Sequence, residues 1–275
     1  MPAPPPESEP AIVRAICMAG NLHTLLRDLQ RRKARERRGL VVAEGRRLVE
    51  DALEAGARVT ALLVADDAQE SAAGLLATAA GRAIPAEVAA RRDFDALADT
   101  ETPSGVLAVV EWQPLALERI RVPAGGRQLA LVVDAVQDPG NVGTMIRTAY
   151  ALGAWLTVVL DGTADVRGAK VVRGSMGALF RQQVAAAGFE DWCAFAAGHG
   201  IATWLATGGG EPVDRLAPWT GGVALVIGNE GQGVRDEWRG REHRAVSVPM
   251  RPGAESLNAA VAAGILLFEL TRDRR

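Results

Sequence analysis

The stretch VPMRPGAESLNAAVAAG, Val248 to Gly264, carries an apolar run into a small-sided helix through a Pro252-Gly253 turn and a polar trio, Glu255, Ser256 and Asn258. A helix start leaves backbone N–H groups unpaired, and one Ser or Asn side chain meets the need. Ser256 is placed to cap, but three polar residues exceed what a cap requires. From this stretch alone, a cap and half of a site are equal readings. The alanines and Gly264 behind the trio allow tight packing around it.

Upstream, the strand-like runs LALVVDAV, LTVVL, IATWLAT, VALVIG and AVSVPM alternate with helical segments. That alternation predicts βαβ units and a mostly parallel sheet, whose ligands collect where strands end. Two further loops follow strands. In DAVQDPGNVGTMIRTAYALGA, Asn141 is placed to cap a helix whose core face is Val142, Ile146, Ala149 and Leu152. Arg147 lies off that face one turn after Gly143, where bare backbone predicts a close approach. In VIGNEGQGV, Gly228, Gly231 and Gly233 predict close approach and positive φ, with the Glu230 carboxylate between them. Its G-x-x-G-x-G spacing is neither the dinucleotide fingerprint nor a P-loop, which counts against an ordinary Rossmann enzyme.

The front of the chain differs. Residues 1–20 are proline-rich and read as a flexible tail. From 21 to 112, Leu22, Leu25, Leu26 and Leu29 follow helical spacing, and LVVAE, RRLVEDALEAG, VTALLVA, RRDFDALAD and GVLAVVEW outline a small α/β unit. The prolines and Gly125-Gly126 of residues 113–126 read as a linker to a second domain at 127–275. Between Arg27 and Arg47 stand nine basic side chains against three acidic ones, in a chain of net charge -2. Such a cluster is either a solvated face or a phosphate-binding patch; Arg31, Arg32, Arg35 and Arg38 are its candidate RNA contacts. No aromatic interleaves it, so base stacking is not indicated.

Composition removes several classes. Two cysteines and three scattered histidines have no metal-ligand spacing, which predicts reduced thiols, no metal and a cytoplasmic setting. MPAPPPESEP does not read as a secretory signal, and no apolar run reads as a membrane span.

Taken together, Asn141 to Arg147, IGNEGQG, and VPM followed by ESLNAAVAAGILLFE resemble the three signature motifs of the SpoU (TrmH) class of the SPOUT superfamily, the RNA ribose 2′-O-methyltransferases. KVVRGSMGALF, between the first two motifs, is also similar to that class. LVVAEGRRLVEDALEAG and TETPSGVLAVVEW resemble its ribosomal-protein-like substrate-binding domain more loosely. The resemblance implies a C-terminal domain with a parallel sheet and a deep trefoil knot, a homodimer, and S-adenosylmethionine held at Thr207, Gly208, Gly228, Val248 and Leu257. It implies Arg147 as the catalytic centre, with Asn141, Glu230, Ser256 and Asn258 orienting it and the target ribose. No histidine stands in the three motifs, and an arginine is an unusual base, so Arg147 would stabilise the developing alkoxide and anchor phosphate. Ribosomal RNA is the expected substrate, transfer RNA the second reading, and a catalytically silent RNA-binding homologue the third.

Overall fold

LVVAE and VLAVVE are apolar runs too short for helices, and in the computed structural model, which describes residues 21–272, they lie side by side as strands. The chain divides into two compact units, with the boundary between Trp112 and Gln113. The first begins with helices α1 (Asn21–Leu29) and α2 (Arg32–Arg38), followed by β1 (Leu40–Glu44), α3 (Arg46–Glu54) and β2 (Arg58–Ala65). Helix α4 (Ala73–Gly81), β3 (Ala86–Ala89), α5 (Arg91–Asp95) and β4 (Val106–Glu111) complete it. Its sheet runs β1-β4-β2-β3, with β4 antiparallel to both neighbours and β3 parallel to β2. The amphipathic α3 buries Leu48, Val49, Ala52 and Leu53. The tail expected over residues 1–20 lies outside the described residues.

Residues 113–126, expected to be a linker, are partly fastened to the second unit. Leu115 donates its N–H to the Val184 carbonyl at 2.8 Å, and Leu117 is buried in the second core. The apolar residues scattered among the prolines supply that attachment.

The second unit contains β5 (Gln128–Val133), α6 (Pro139–Ala151), β6 (Leu156–Leu160), α7 (Ala169–Gly174), β7 (Gln183–Ala187) and α8 (Phe189–Gly198). It continues with β8 (Ile201–Pro212), β9 (Gly222–Ile227), β10 (Arg244–Ser247) and α9 (Ala259–Thr271). All six strands are parallel, in the order β10-β8-β9-β5-β6-β7. The central β5 and β9 read as unbroken apolar runs because both sheet faces are covered. After β5 the chain builds outward through β6 and β7, then crosses to β8, and β9 fills the place between β8 and β5. The switch point of the sheet is therefore the gap where the β5 and β9 loops leave.

One irregularity shapes the site. Strand β10 pairs Ala245 with Leu205, then Val246 with Glu211, so residues 206–210 of β8 make an excursion outside the ladder. A Cβ on Gly210 would come within 2.5 Å of the Val246 nitrogen, and Ser247 Oγ donates to the Gly210 carbonyl at 2.8 Å. Gly210 is thus required by the strand crossing. Gly208, with open space around it, keeps the expected freedom.

Candidate active site

Helix α6 starts at Pro139 and is capped by Asp138, whose carboxylate accepts from the Asn141 N–H at 2.8 Å. That amide, and after it the Lys170 ammonium at 3.6 Å, holds the Asp138 carboxyl below its ordinary value. Asn141 was expected to cap; with Asp138 in that role, its side chain is released into the site. Helix α9 begins after Asn258, which caps it by accepting from Ala260 N at 2.9 Å and Val261 N at 3.2 Å. Ser256 stands ahead of the helix, exposed, and does not cap.

These two caps fix a hydrogen-bond chain. The Asn258 carbonyl is taken by helix amides, so its NH2 faces outward and donates to Asn141 Oδ1 at 3.1 Å. The Asn141 NH2 then donates to Glu230 Oε1 at 2.5 Å. Residues from all three strand-end loops are joined in one direction, ending on a carboxylate. Arg147 is exposed on α6, and among the described residues nothing bonds to it, so the expected orientation of Arg147 by these four residues is absent from the chain as folded. Gly143 differs from its expectation too. A Cβ there would lie 2.7 Å from the Val171 carbonyl oxygen and 2.9 Å from Gly174 Cα, so the close approach is made by α7.

The loop after β9 is built against β5. A Cβ on Gly228 would overlap the Gly233 carbonyl, so glycine is needed for the loop to close on itself. Only Gly233 among its three glycines has positive φ, at 73°. Asn229 donates to the Ala135 carbonyl at 3.0 Å and accepts from the Gly231 and Gln232 amides. Sequence reasoning missed Asp134, Arg235 and Trp238. The buried Asp134 accepts from Arg235 N at 3.0 Å, Arg235 Nε at 2.6 Å and Trp238 Nε1 at 2.9 Å. Burial works against the Arg235 charge, but Asp134 and Asp161 outweigh it and hold the guanidinium pKa above its ordinary value. An aspartate closing an apolar strand was the one available signal.

Where β8, β9 and β10 end, a cavity of ≈ 480 Å³ opens. Thr207, Gly208, Gly228, Val248 and Leu257 all line it, as do Glu230 and Ser256. Leu205, Ile227, Val246, Ala262 and Leu266 give it apolar walls beside exposed backbone groups of the loops. That lining suits a flat, heteroaromatic, partly polar ligand. Among the described residues no cluster of side chains could hold a metal ion.

In the first unit, the expected RNA-contacting arginines divide. Arg35 Nη1 donates to the Leu29 and Gln30 carbonyls, both at 2.8 Å, and ties off the end of α1. Arg38 bonds Asp28 at 2.9 Å, and Arg32 bonds Glu36 at 2.9 Å. Arg31 is exposed and unpartnered among the described residues, as are Arg27, Lys33 and Arg47, whereas Arg37 pairs with Asp28 and Arg46 with the Ser71 carbonyl and Glu50. Arg35 is therefore also a structural residue of the patch.

Comparisons with known proteins agree with this geometry. Residues 128–268 match the model of the SpoU rRNA Methylase family, and residues 25–108 match the MRM3-like substrate binding domain. The chain is 33% identical over 245 residues, 89% of its length and 93% of the relative's, to the Bacillus subtilis 23S rRNA (guanosine(2553)-2′-O)-methyltransferase RlmP. Its fold resembles the AdoMet-bound rRNA methyltransferase from Sinorhizobium meliloti, with TM-score 0.81 and 28% identity, covering 93% of this chain and 96% of that one. It also resembles the SpoU methyltransferase AviRb from Streptomyces viridochromogenes in complex with AdoMet, with TM-score 0.78 and 32% identity, covering 92% and 98%. The strand-end loops, the hydrogen-bond chain across them and these matches lead to one statement: this chain belongs to the SpoU rRNA methylase family.

Proposed function

We propose that this protein methylates a ribose 2′-hydroxyl of ribosomal RNA, with S-adenosylmethionine as methyl donor. The observation that carries the reading is the hydrogen-bond chain from Asn258 through Asn141 to Glu230, set beside a cavity of suitable size and lining. S-adenosylmethionine supplies an electrophilic methyl group when bound. Thr207, Gly208, Gly228, Val248 and Leu257 would hold it, through backbone groups and apolar contact. The relatives named for 23S rRNA favour ribosomal over transfer RNA.

A ribose hydroxyl is a poor nucleophile and sheds its proton, to the neighbouring phosphate or to water, as it attacks. Glu230 accepts from Asn141 through Oε1, and its other oxygen is left to orient a hydroxyl. The exposed Arg147, without a partner among the described residues, has its fork available for the developing alkoxide and the neighbouring phosphate. Ser256, exposed at the rim, adds a hydroxyl to the same mouth.

The domain roles follow: residues 21–112 bind RNA, through the unpartnered cations of the first unit, and residues 127–275 perform transfer in a knotted fold. A homodimer is supported by an apolar stripe on α9, where Val261, Ile265 and Phe268 are exposed at helical spacing. No described helix is long and apolar enough to cross a membrane; a ribosomal RNA substrate puts the protein in the cytoplasm. Incubating the protein with S-adenosylmethionine carrying a labelled methyl group and with unmodified 23S rRNA or tRNA tests the function. Label appearing at a 2′-oxygen of 23S rRNA is expected, and label confined to tRNA or to a base would refute it.

A further inference from the structure

We propose that Asp134 is a positioning residue of the methyl-transfer site, acting through Arg235 and Trp238 on the loop that carries Glu230; this rests on the function proposed above. A wholly buried carboxylate at the end of an apolar strand is costly unless paired, and pairing seldom makes it a net stabiliser over an apolar side chain. Asp134 is paired completely: both of its oxygens are used, and all three donors come from the segment that leaves the β9 loop.

That loop has little packing of its own. Residues 230–233 are exposed, and the loop closes on itself at Gly228 and Gly233. Its orientation therefore depends on two polar attachments, Asn229 to the Ala135 carbonyl and Arg235 with Trp238 to Asp134. Both end on consecutive residues at the switch point. Ala135 is held there at φ 55°, in a region that alanine seldom occupies. Arg235 extends the clamp to the next strand by donating to the Asp161 carbonyl at 2.7 Å.

The loop so fixed forms one wall of the cavity and delivers Glu230 to Asn141. Asp134 does not itself line the cavity, so any effect of its loss on ligand binding is transmitted. A shift of about 1 Å in a site wall can cost on the order of a hundredfold in rate. Loosening the clamp is thus expected to weaken cofactor binding and slow transfer together.

The test compares the full chain with Asp134→Asn, which turns one acceptor into a donor facing a donor, and with Trp238→Phe, which removes one bond and keeps an aromatic ring. S-adenosylmethionine affinity is measured by calorimetry, transfer by single turnover at saturating cofactor, and folding by thermal melting. We expect affinity to fall about tenfold or more in Asp134→Asn and about threefold in Trp238→Phe, with slower single turnovers in both. If Asp134→Asn fails to fold, Asp134→Glu, which keeps the acceptor and displaces it by one methylene, decides, because Trp238 itself lines the cavity and its replacement also removes a direct contact. Melting temperatures that fall while affinity and single-turnover rate stay at wild-type values would reduce the clamp to a structural role and overturn the proposal. Failure of the wild-type protein itself to bind S-adenosylmethionine would instead overturn the functional reading beneath it.

Discussion

The Asn141 amide nitrogen lies 2.5 Å from Glu230 Oε1, across 89 residues of sequence. Asn141→Ala removes the donor and leaves the Asp138 cap untouched. Methylation should fall by a factor on the order of 100, as for a lost preorganised donor, while stability changes little. Rates from single-turnover methylation of 23S rRNA check this, and a variant within a factor of about two of wild type would detach the pair from catalysis.

Arg147→Ala should lose methylation by a factor on the order of 100 or more and keep cofactor affinity, because Arg147 does not line the cavity. Stability should change by less than about 0.5 kcal/mol, the side chain being exposed and unpartnered among the described residues. Arg147→Lys should not restore activity, since a point charge cannot reproduce the planar fork. Near-normal turnover by either variant would remove Arg147 from the reaction.

The basic patch separates into two kinds of arginine. Replacing Arg27, Arg31, Lys33 and Arg47 by Ser should weaken RNA binding and lower its salt dependence, with the fold intact. Arg35→Ala should instead cost about 1 kcal/mol of stability through the two carbonyls it holds. Filter binding at several salt concentrations, set beside melting curves, distinguishes the two outcomes.

Asp138 supplies a pH signature. Its carboxyl is held below the ordinary value by the Asn141 amide, so its contribution is present above the unfolded pKa of about 3.9 and lost as pH falls through the lower folded value. Asp138→Asn still caps and does not titrate. The stability gap between wild type and variant should therefore shrink in acid, as followed by denaturant titration from pH 7 to 3. A pH-independent gap would contradict the linkage.

If the proposed dimer forms through the exposed face of α9, Phe268→Glu should yield monomers that sediment at half the mass of the wild-type protein at micromolar concentration. A wild-type protein that is itself monomeric would refute the dimer.

How much of this was legible varied by residue. LTVVL matched β6 to the residue because a β-branched run between turn signals has few alternatives. QVAAA, which forms β7, passed unnoticed: alanine has little preference for strands, and pairing with β6 alone makes it one. Capping was read in the right places but from the wrong side chains, since Asp138 and Asn141, or Ser256 and Asn258, are equally suited by type. Which one caps depends on what the other can reach across the fold. The clamp was invisible for a related reason, as Asp134 meets Arg235 at a separation of 101 residues. Gly143 and Gly228 advertised close approach correctly, but sequence cannot say that the visitor is the chain's own backbone.

The placement of β9 between β8 and β5 bears on how the molecule comes to be folded. β9 pairs with β5 along one edge and with β8 along the other, so the centre of the sheet closes only when a strand late in the chain has joined one about ninety residues earlier. Contacts so distant in sequence make for slow acquisition of the native state. The loop behind β9 takes its place only then, so the pocket is among the last features to mature. Because every lining residue lies between Leu205 and Leu266, a nascent chain is expected to gain the ability to bind a small molecule only once its last strands and helix are in place.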